Sequence, residues 1–448
     1  MTAGNKALFH SRGSARHFLF SKTDTGRLKD VSRKKVAEAH QALQAAYPDM
    51  LSDQEFMDHA LLALESDTLF SAVVIRLDQN GQEQEAPVVP AEGDGLLAVA
   101  AILDDVCREQ KSMWGALDSG LLAGFFPDKN GPQTIELTRR IQKSLKAKTQ
   151  KTITVGIAAF PTITYQKVEI LENAAKALDH ATFFGPGSAV IFDGVSLNIS
   201  SDKLYEKGEI QGAIEELKMA LKLDSSNVNL HNSLGVCFGL QGNYEPAIEA
   251  FKKAISIEPG EYMALYNLGL VYMLTDKRDQ ALELFLKADK INGDAYEVTF
   301  QTGKLYLDLG DAEKARTYLE RAADLEPESG AVYRYLGDCH AAGNMPQEAI
   351  TDYRKAIRLN PQDAASMSAL GCLFEAQGEN PEITLMFCRE SVGLAPDNAL
   401  FRYRLGQLYS NQNRLDEALS EFRQAQKLGY DATDDIKEVE VRLGKKAS

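Results

Sequence analysis

The chain has 448 residues, a formal net charge of −15, and 44% hydrophobic and 25% charged residues. That length exceeds one hydrophobic core, so two or three domains are expected, in a composition ordinary for a soluble protein. The acidic balance argues against nonspecific nucleic-acid binding, and no apolar run reaches the length of a membrane span. Five cysteines without paired spacing read as buried thiols of a reducing, cytoplasmic compartment. Seven scattered histidines lack partners at metal-ligand spacing, so neither a metal nor another cofactor is expected.

Residues 1–43 form a basic N-terminal segment, with nine Lys or Arg against three acidic residues in the first forty. It reads as a poorly ordered tail. Residues 44–193 then alternate strand and helix patterns. The apolar, β-branched run Phe70–Leu77 predicts a buried strand, and Gly93–Arg108 a helix. Short strands are predicted around Gly115 and over Leu122–Phe126, with a break at Pro127. A helix over Thr134–Leu145, a strand over Ile153–Phe160, a helix over Lys167–Thr182 and a strand over Ala189–Phe192 complete the order. Helices between strands imply an α/β domain around a central sheet containing antiparallel strands.

The wording of this region resembles the GGDEF domain of diguanylate cyclases. Thr152, Thr154, Gly156, Ile157 and Ala158, followed by Pro161, are similar to its Thr-x-Ser-x-Gly-Val-Ala strand. Ala177, Leu178, Asp179, Ala181 and Thr182, then Gly185-Pro186-Gly187, follow its next helix and turn. Gly93, Asp94 and Leu97 match Gly-Asp-x-x-Leu, and Glu136–Ile141 the helix after the signature hairpin. The signature is missing: Asp118, Ser119, Gly120, Leu121 and Leu122 stand under Gly-Gly-Asp/Glu-Glu-Phe. The resemblance implies two magnesium-holding carboxylates, and this chain has Arg76 and Gly120 at those places. The family's phosphate-binding Lys and Arg fall on Thr182 and Pro186. A cyclase without catalysis is therefore implied, with Asp94 and Arg76 as a vestigial nucleotide site. The plainer reading of Asp94, and the preferred one, is a cap for the helix that begins at Gly95.

Residues 194–431 repeat at a fixed period. Loop positions recur at Ser225, Pro259, Gly293, Pro327, Pro361, Pro396 and Tyr430, every 34 residues except for 35 in the sixth unit. Between them runs one code: Leu234, Gly235, Phe238, Ala247, Phe251, Ala254 in one unit, and Leu405, Gly406, Tyr409, Ala418, Phe422, Ala425 in another. Glycine and alanine let two helices approach, large side chains fill the remaining space, and proline ends the second helix. Seven such units resemble the tetratricopeptide repeat (TPR), a helix–turn–helix module that stacks into an all-α solenoid. The first unit is irregular, with Ser200 and Ser201 where Leu-Gly is expected. The sixth has Thr384, Cys388 and Ser391 at small-residue positions. Residues 432–448 read as a capping helix, over Thr433–Leu443, and a tail.

The TPR resemblance implies a groove lined by first-helix side chains: Asn232, Met263, Tyr266, Asn267, Phe300, Lys304, Arg334, Tyr335, Tyr403 and Arg404. Aromatic and Met anchors with interspersed amides suit an extended or helical peptide. Some of these side chains serve equally well as packing between helices. The function expected from sequence is a non-enzymatic scaffold that binds a protein or peptide, with the GGDEF-like domain as a docking or homodimer surface. A nucleotide sensor signalling to the repeats is the alternative, and an active diguanylate cyclase the least supported.

Overall fold

The computed structural model describes residues 33–78, 93–117 and 120–446. The chain forms two compact units, Met1–Asn267 and Leu268–Ser448. Most of the basic segment, residues 79–92, and Asp118 and Ser119 lie outside the described residues, as do the side chains of Gly93 and Asp94.

The first unit opens with helices α1 (Arg33–Ala46) and α2 (Asp53–Ala63), followed by strand β1 (Phe70–Leu77) and helix α3 (Gly93–Gln110). Strands β2 (Met113–Leu117) and β3 (Leu121–Pro127), helix α4 (Gly131–Thr149), strand β4 (Ile153–Phe160), helix α5 (Ile170–Thr182) and strand β5 (Ala189–Ile191) complete the α/β part. The sheet order is β2-β3-β1-β4-β5. Only the β4–β5 pair is parallel. From β1 to β4 the chain thus follows a β-α-β-β-α-β order around a central β1.

Strand alternation sorts the core onto two faces. Ala72 and Val74 of β1 join Phe56 and Ala60 of α2, Leu64 just after it, and Ala174, Ala177 and Leu178 of α5. Val73, Ile75 and Leu77 face the other way, among Leu43 of α1, Val99 and Leu103 of α3, and Ile141 and Leu145 of α4. Leu43 is 1% exposed, so α1 carries the packed domain across the change of character at residues 43–44 and supersedes the picture of a tail there. Gly156 marks the closest approach. A Cβ there would meet the Ala174 carbonyl and the Leu178 amide, so α5 lies directly on β4.

Helix α2 has no counterpart in the sequence expectation, and three later elements differ from it in their ends. Helix α4 begins three residues early because Asn130 and Gln133 form a capping box ahead of Pro132. Residues 167–169 form a 3₁₀ turn before α5. The last strand stops at Ile191.

From Gly194 the chain is helical. The first unit continues with α6 (Gly194–Glu206), α7 (Ile210–Leu223), α8 (Val228–Leu240) and α9 (Tyr244–Ile257). Helix α10 (Tyr262–Leu274) carries the boundary between the two units. The second unit continues with α11 (Arg278–Ile291), α12 (Tyr296–Asp308), α13 (Ala312–Leu325), α14 (Gly330–Ala342) and α15 (Pro346–Leu359). It ends with α16 (Ala364–Ala376), α17 (Pro381–Leu394), α18 (Ala399–Asn411), α19 (Leu415–Lys427) and α20 (Thr433–Lys446).

Within each pair the repeat code has a direct steric cause. A Cβ on Gly337 would stand 2.7 Å from the Tyr353 ring, and one on Gly406 2.7 Å from the Phe422 ring. Ser201, which replaces the glycine of the first pair, is buried on α6, and the equivalent large residue on α7 is the smaller Leu217. The extra residue of the sixth pair is absorbed in its turn. Four residues, 377–380, separate α16 from α17, where three, 343–345, separate α14 from α15. Both helices keep the usual lengths of 13 and 14 residues.

Candidate functional site

In the second unit, helices α12 and α14 present a cluster of aromatic and cationic side chains. The rings of Tyr296 and Phe300, one turn apart on α12, stack with centroids 5.6 Å apart. Phe300 meets Tyr335 of α14 edge to face at 5.5 Å. Lys304 Nζ lies 5.6 Å from the Tyr335 centroid, and the Arg334 guanidinium 4.9 Å from it. All five side chains are partly exposed. Phe300, Lys304 and Arg334, expected to line the groove, thus all meet at the Tyr335 ring.

The charges beside this cluster are partly compensated. Arg334 donates to Asp363 Oδ1 at 3.3 Å. Burial alone would lower the Arg334 pKa, but the Asp363 carboxylate and the Tyr335 hydroxyl outweigh it and hold the guanidinium above its usual range. Asp338, one turn after Arg334, accepts from the Tyr353 hydroxyl at 2.6 Å. Its carboxyl is raised by burial, against the pull of Tyr353, Arg334 and Arg404. Arg404 of α18 donates to Ser368 Oγ at 3.1 Å. The row therefore combines flat aromatic faces and cations with a carboxyl whose pKa is raised by burial.

Other expected lining residues serve packing. Tyr403 stacks on Tyr430 at 4.2 Å and approaches Phe422, which ties α18 to the segment before α20. In the first unit Asn232, Tyr266 and Asn267 are 7%, 3% and 0% exposed. Asn267 Nδ2 donates to Asn232 Oδ1 at 3.0 Å. Met263 is partly exposed, and its backbone amide donates to Glu261 Oε1 at 3.0 Å. Sequence spacing locates these positions on the first helix of a unit but does not show how deeply a neighbouring helix covers them. Asp338 belongs to the lining expected from the 34-residue spacing, and Tyr296, stacked on Phe300, is the residue to add to it.

The α/β domain arranges its carboxylates differently from a metal site. Asp78, just beyond β1, accepts from Thr152 Oγ1 at 2.8 Å, Thr154 Oγ1 at 2.6 Å and the Gly187 amide at 2.7 Å. It pins the end of β1 to the start of β4 and to the turn before β5. Arg76 lies on β1 opposite Thr154 and is partly exposed. Asp94 belongs to the first turn of α3, and its side chain is outside the described residues. Trp114 is a packing residue: its indole donates to Asp104 at 3.0 Å and its ring meets Tyr47 edge on at 5.1 Å. Among the described residues no group of three or more His, Cys, Asp or Glu side chains could hold a metal ion, and no helix is long and apolar enough to cross a membrane.

Helix pairs of 13 or 14 residues per helix, joined by short turns and in most pairs closed by a glycine against a large second-helix side chain, define a tetratricopeptide repeat protein. Residues 194–441, more than half of the chain, match the family of the Cilia and flagella-associated protein 70 C-terminal domain, and the chain belongs to that family. It is 36% identical over 80 residues to cellulose synthase operon protein C of Xanthomonas axonopodis pv. citri, which covers 18% of this chain and 5% of that protein. It is 27% identical over 110 residues to anaphase-promoting complex subunit 3 of Schizosaccharomyces pombe, covering 25% of this chain and 16% of the other. The chain thus spans only a small part of the curated relatives it matches. Among solved structures, a tetratricopeptide repeat protein from Parabacteroides merdae is similar with a TM-score of 0.43 and 19% identity, covering 55% of this chain and 96% of that one. YrrB, described as a TPR protein with an unusual peptide-binding site, gives 0.38 and 20%, covering 42% and 96%. Likenesses of that size carry no functional argument.

Proposed function

We propose that the chain is a non-catalytic scaffold whose repeats hold an extended peptide segment of a partner protein. The observation that carries this reading is the contact cluster of Phe300, Tyr335, Lys304 and Arg334 on consecutive first helices of the second unit. Aromatic faces backed by cations supply rigid apolar anchors and a charged flank, the mix that dominates binding energy at peptide grooves. The N-terminal domain, on this reading, is a GGDEF-like domain used for docking or self-association. Its β-α-β-β-α-β order supports that assignment, and the structural use of Asp78 supports the loss of chemistry. Phe183 and Phe184, exposed at the end of α5, support a docking role. A cytoplasmic location is supported by five cysteines that are all free.

The test is crosslinking and affinity capture with the full chain from its native cell. The double variant Phe300→Ala/Tyr335→Ala should lose a captured partner at least about tenfold, since two groove anchors together are worth roughly 2 kcal/mol or more. Retention of every partner by a folded double variant would remove the reading.

A further inference from the structure

We propose that first helices α6, α8 and α10 hold the guanidinium of a partner protein's arginine, with Asp202 as its counter-ion and Asn198 and Asn267 as further acceptors. The site lies within the first unit, Met1–Asn267, and goes beyond the aromatic cluster of the second. Asn198, Asp202 and Glu206 stand four residues apart on α6 and so share one face of it. Asn232 of α8 follows Asn198 by one repeat of 34 residues. Leu197 of α6 packs in one core with Leu230, Leu234 and Cys237 of α8. Asn267 of α10 extends the row, its Nδ2 donating to Asn232 Oδ1 at 3.0 Å.

Unused acceptors mark the site. The Oδ1 atoms of Asn198, Asp202 and Asn267 are buried, and among the described residues none of them has a hydrogen-bond partner. Asn267 as a whole is fully buried. A buried acceptor without a donor destabilises a fold, and a buried carboxylate without a cation does so more strongly. The cation is what these helices lack. Helices α8 and α10 carry no Lys or Arg, and Lys203 of α6 is engaged with Asp179 of α5 at 2.6 Å. Asn198 and Asp202 remain partly exposed, so the face is open to a side chain from outside.

The chemistry favours a guanidinium over an ammonium. Its planar fork presents five N–H donors that can reach acceptors on separate side chains, and its weaker hydration eases entry into a half-buried face. Burial, with Glu206 nearby, raises the Asp202 carboxyl to about 7. An arriving guanidinium displaces that proton and leaves carboxylate and cation paired. Burial, then the Asp202 charge, raises the Cys237 thiol of α8 to about 12, so the carboxylate acts on α8 as well.

Calorimetric titration of the full chain uses two capped tripeptides, acetyl-Leu-Arg-Leu-amide and the same peptide with neutral citrulline in place of arginine. At pH 8 the arginine peptide should bind at least about tenfold more tightly, because its hydrogen bonds are charge-assisted. Its affinity should fall at least about tenfold at pH 5, where Asp202 keeps its proton. Asp202→Asn, which preserves the shape of the side chain, should lose about as much at pH 8, and Glu206→Gln less. Phe300→Ala/Tyr335→Ala should bind the tripeptide unchanged, so the result stands apart from partner capture by the second unit; loss in that variant would put the peptide on the aromatic cluster and overturn the proposal. No heat with the arginine peptide at millimolar concentration also overturns it, as does equal affinity for the two peptides. So does an Asp202→Asn chain with native circular dichroism that binds like the unsubstituted one.

Discussion

Asp202 shows how a single side chain can set the pH response of a fold. It lies on α6, its Oδ1 is buried without a hydrogen-bond partner, and burial with Glu206 nearby raises its carboxyl to about 7. The folded chain then keeps a proton that the unfolded chain, with an ordinary value of 3.8, has lost. Unfolding releases that proton between roughly pH 4 and pH 7, so this residue's contribution to stability falls as pH rises through that window and is flat on either side. Asp202→Asn should raise the melting temperature by a few degrees at pH 8 and leave it unchanged at pH 4. Thermal unfolding of the two chains at both pH values checks this, and an equal effect at both would show that the carboxyl does not retain its proton. Asp78 is the opposite case. Its carboxylate is buried too, but three donors meet it, and it fastens two strand ends and a turn.

Elements follow their local sequence where a repeating steric demand fixes them. Most first helices need a small residue at one place and their second helices a large one opposite, and this pairing makes the repeats legible in the sequence. The one-residue insertion of the sixth unit was legible too, but not its place, since a turn absorbs an extra residue without disturbing either helix. Helix α2 was missed, although Phe56, Ala60 and Leu64 are spaced at four residues, because such a short pattern competes poorly with neighbouring polar residues. Of the groove, the register was readable and the depth was not. Tyr403 stands in the register of Arg334, yet it is spent on Tyr430.

At the end of the repeats, α20 packs Val439 into the core shared with Leu415 and Phe422, with Ile436 and Leu443 at its margin. Arg442 adds hydrogen bonds to the Ser410 carbonyl and hydroxyl. A chain ended at Ala432 should lose about 3 kcal/mol, the transfer value of one fully and two partly buried aliphatic side chains. Urea unfolding monitored by circular dichroism measures the loss. An unchanged midpoint would mean that α20 is an appendage.

In the molecule as a whole, the change from α/β to helical sequence at residues 193–194 is not a gap in packing. One core runs from Phe56 and Phe125 through Leu178 to Leu197, Leu217 and Cys237. Polar contacts span the same seam. Lys176 of α5 donates to Glu216 of α7 at 2.7 Å, with only 12% and 17% of the two side chains exposed. Lys203 of α6 meets Asp179 of α5 at 2.6 Å. A chain beginning at Gly194 should therefore be less stable than the full chain. A loss on the order of 3 kcal/mol would lower its melting temperature by roughly 10 °C. It should also bind a hydrophobic dye that the full chain ignores, and equal dye binding by the two would show the seam to be loose.

The position of α5 has a consequence for assembly. A stack of helix pairs presents an apolar face at each terminus, and two copies can grow end to end through those faces. Here the N-terminal face, on α6 and α7, is occupied by α5, and the last pair is covered by α20. Neither terminus is left to receive a neighbour, so filament growth by this route is blocked at both ends. Pairing of copies through the stacked helix pairs then has to use a lateral surface of the stack.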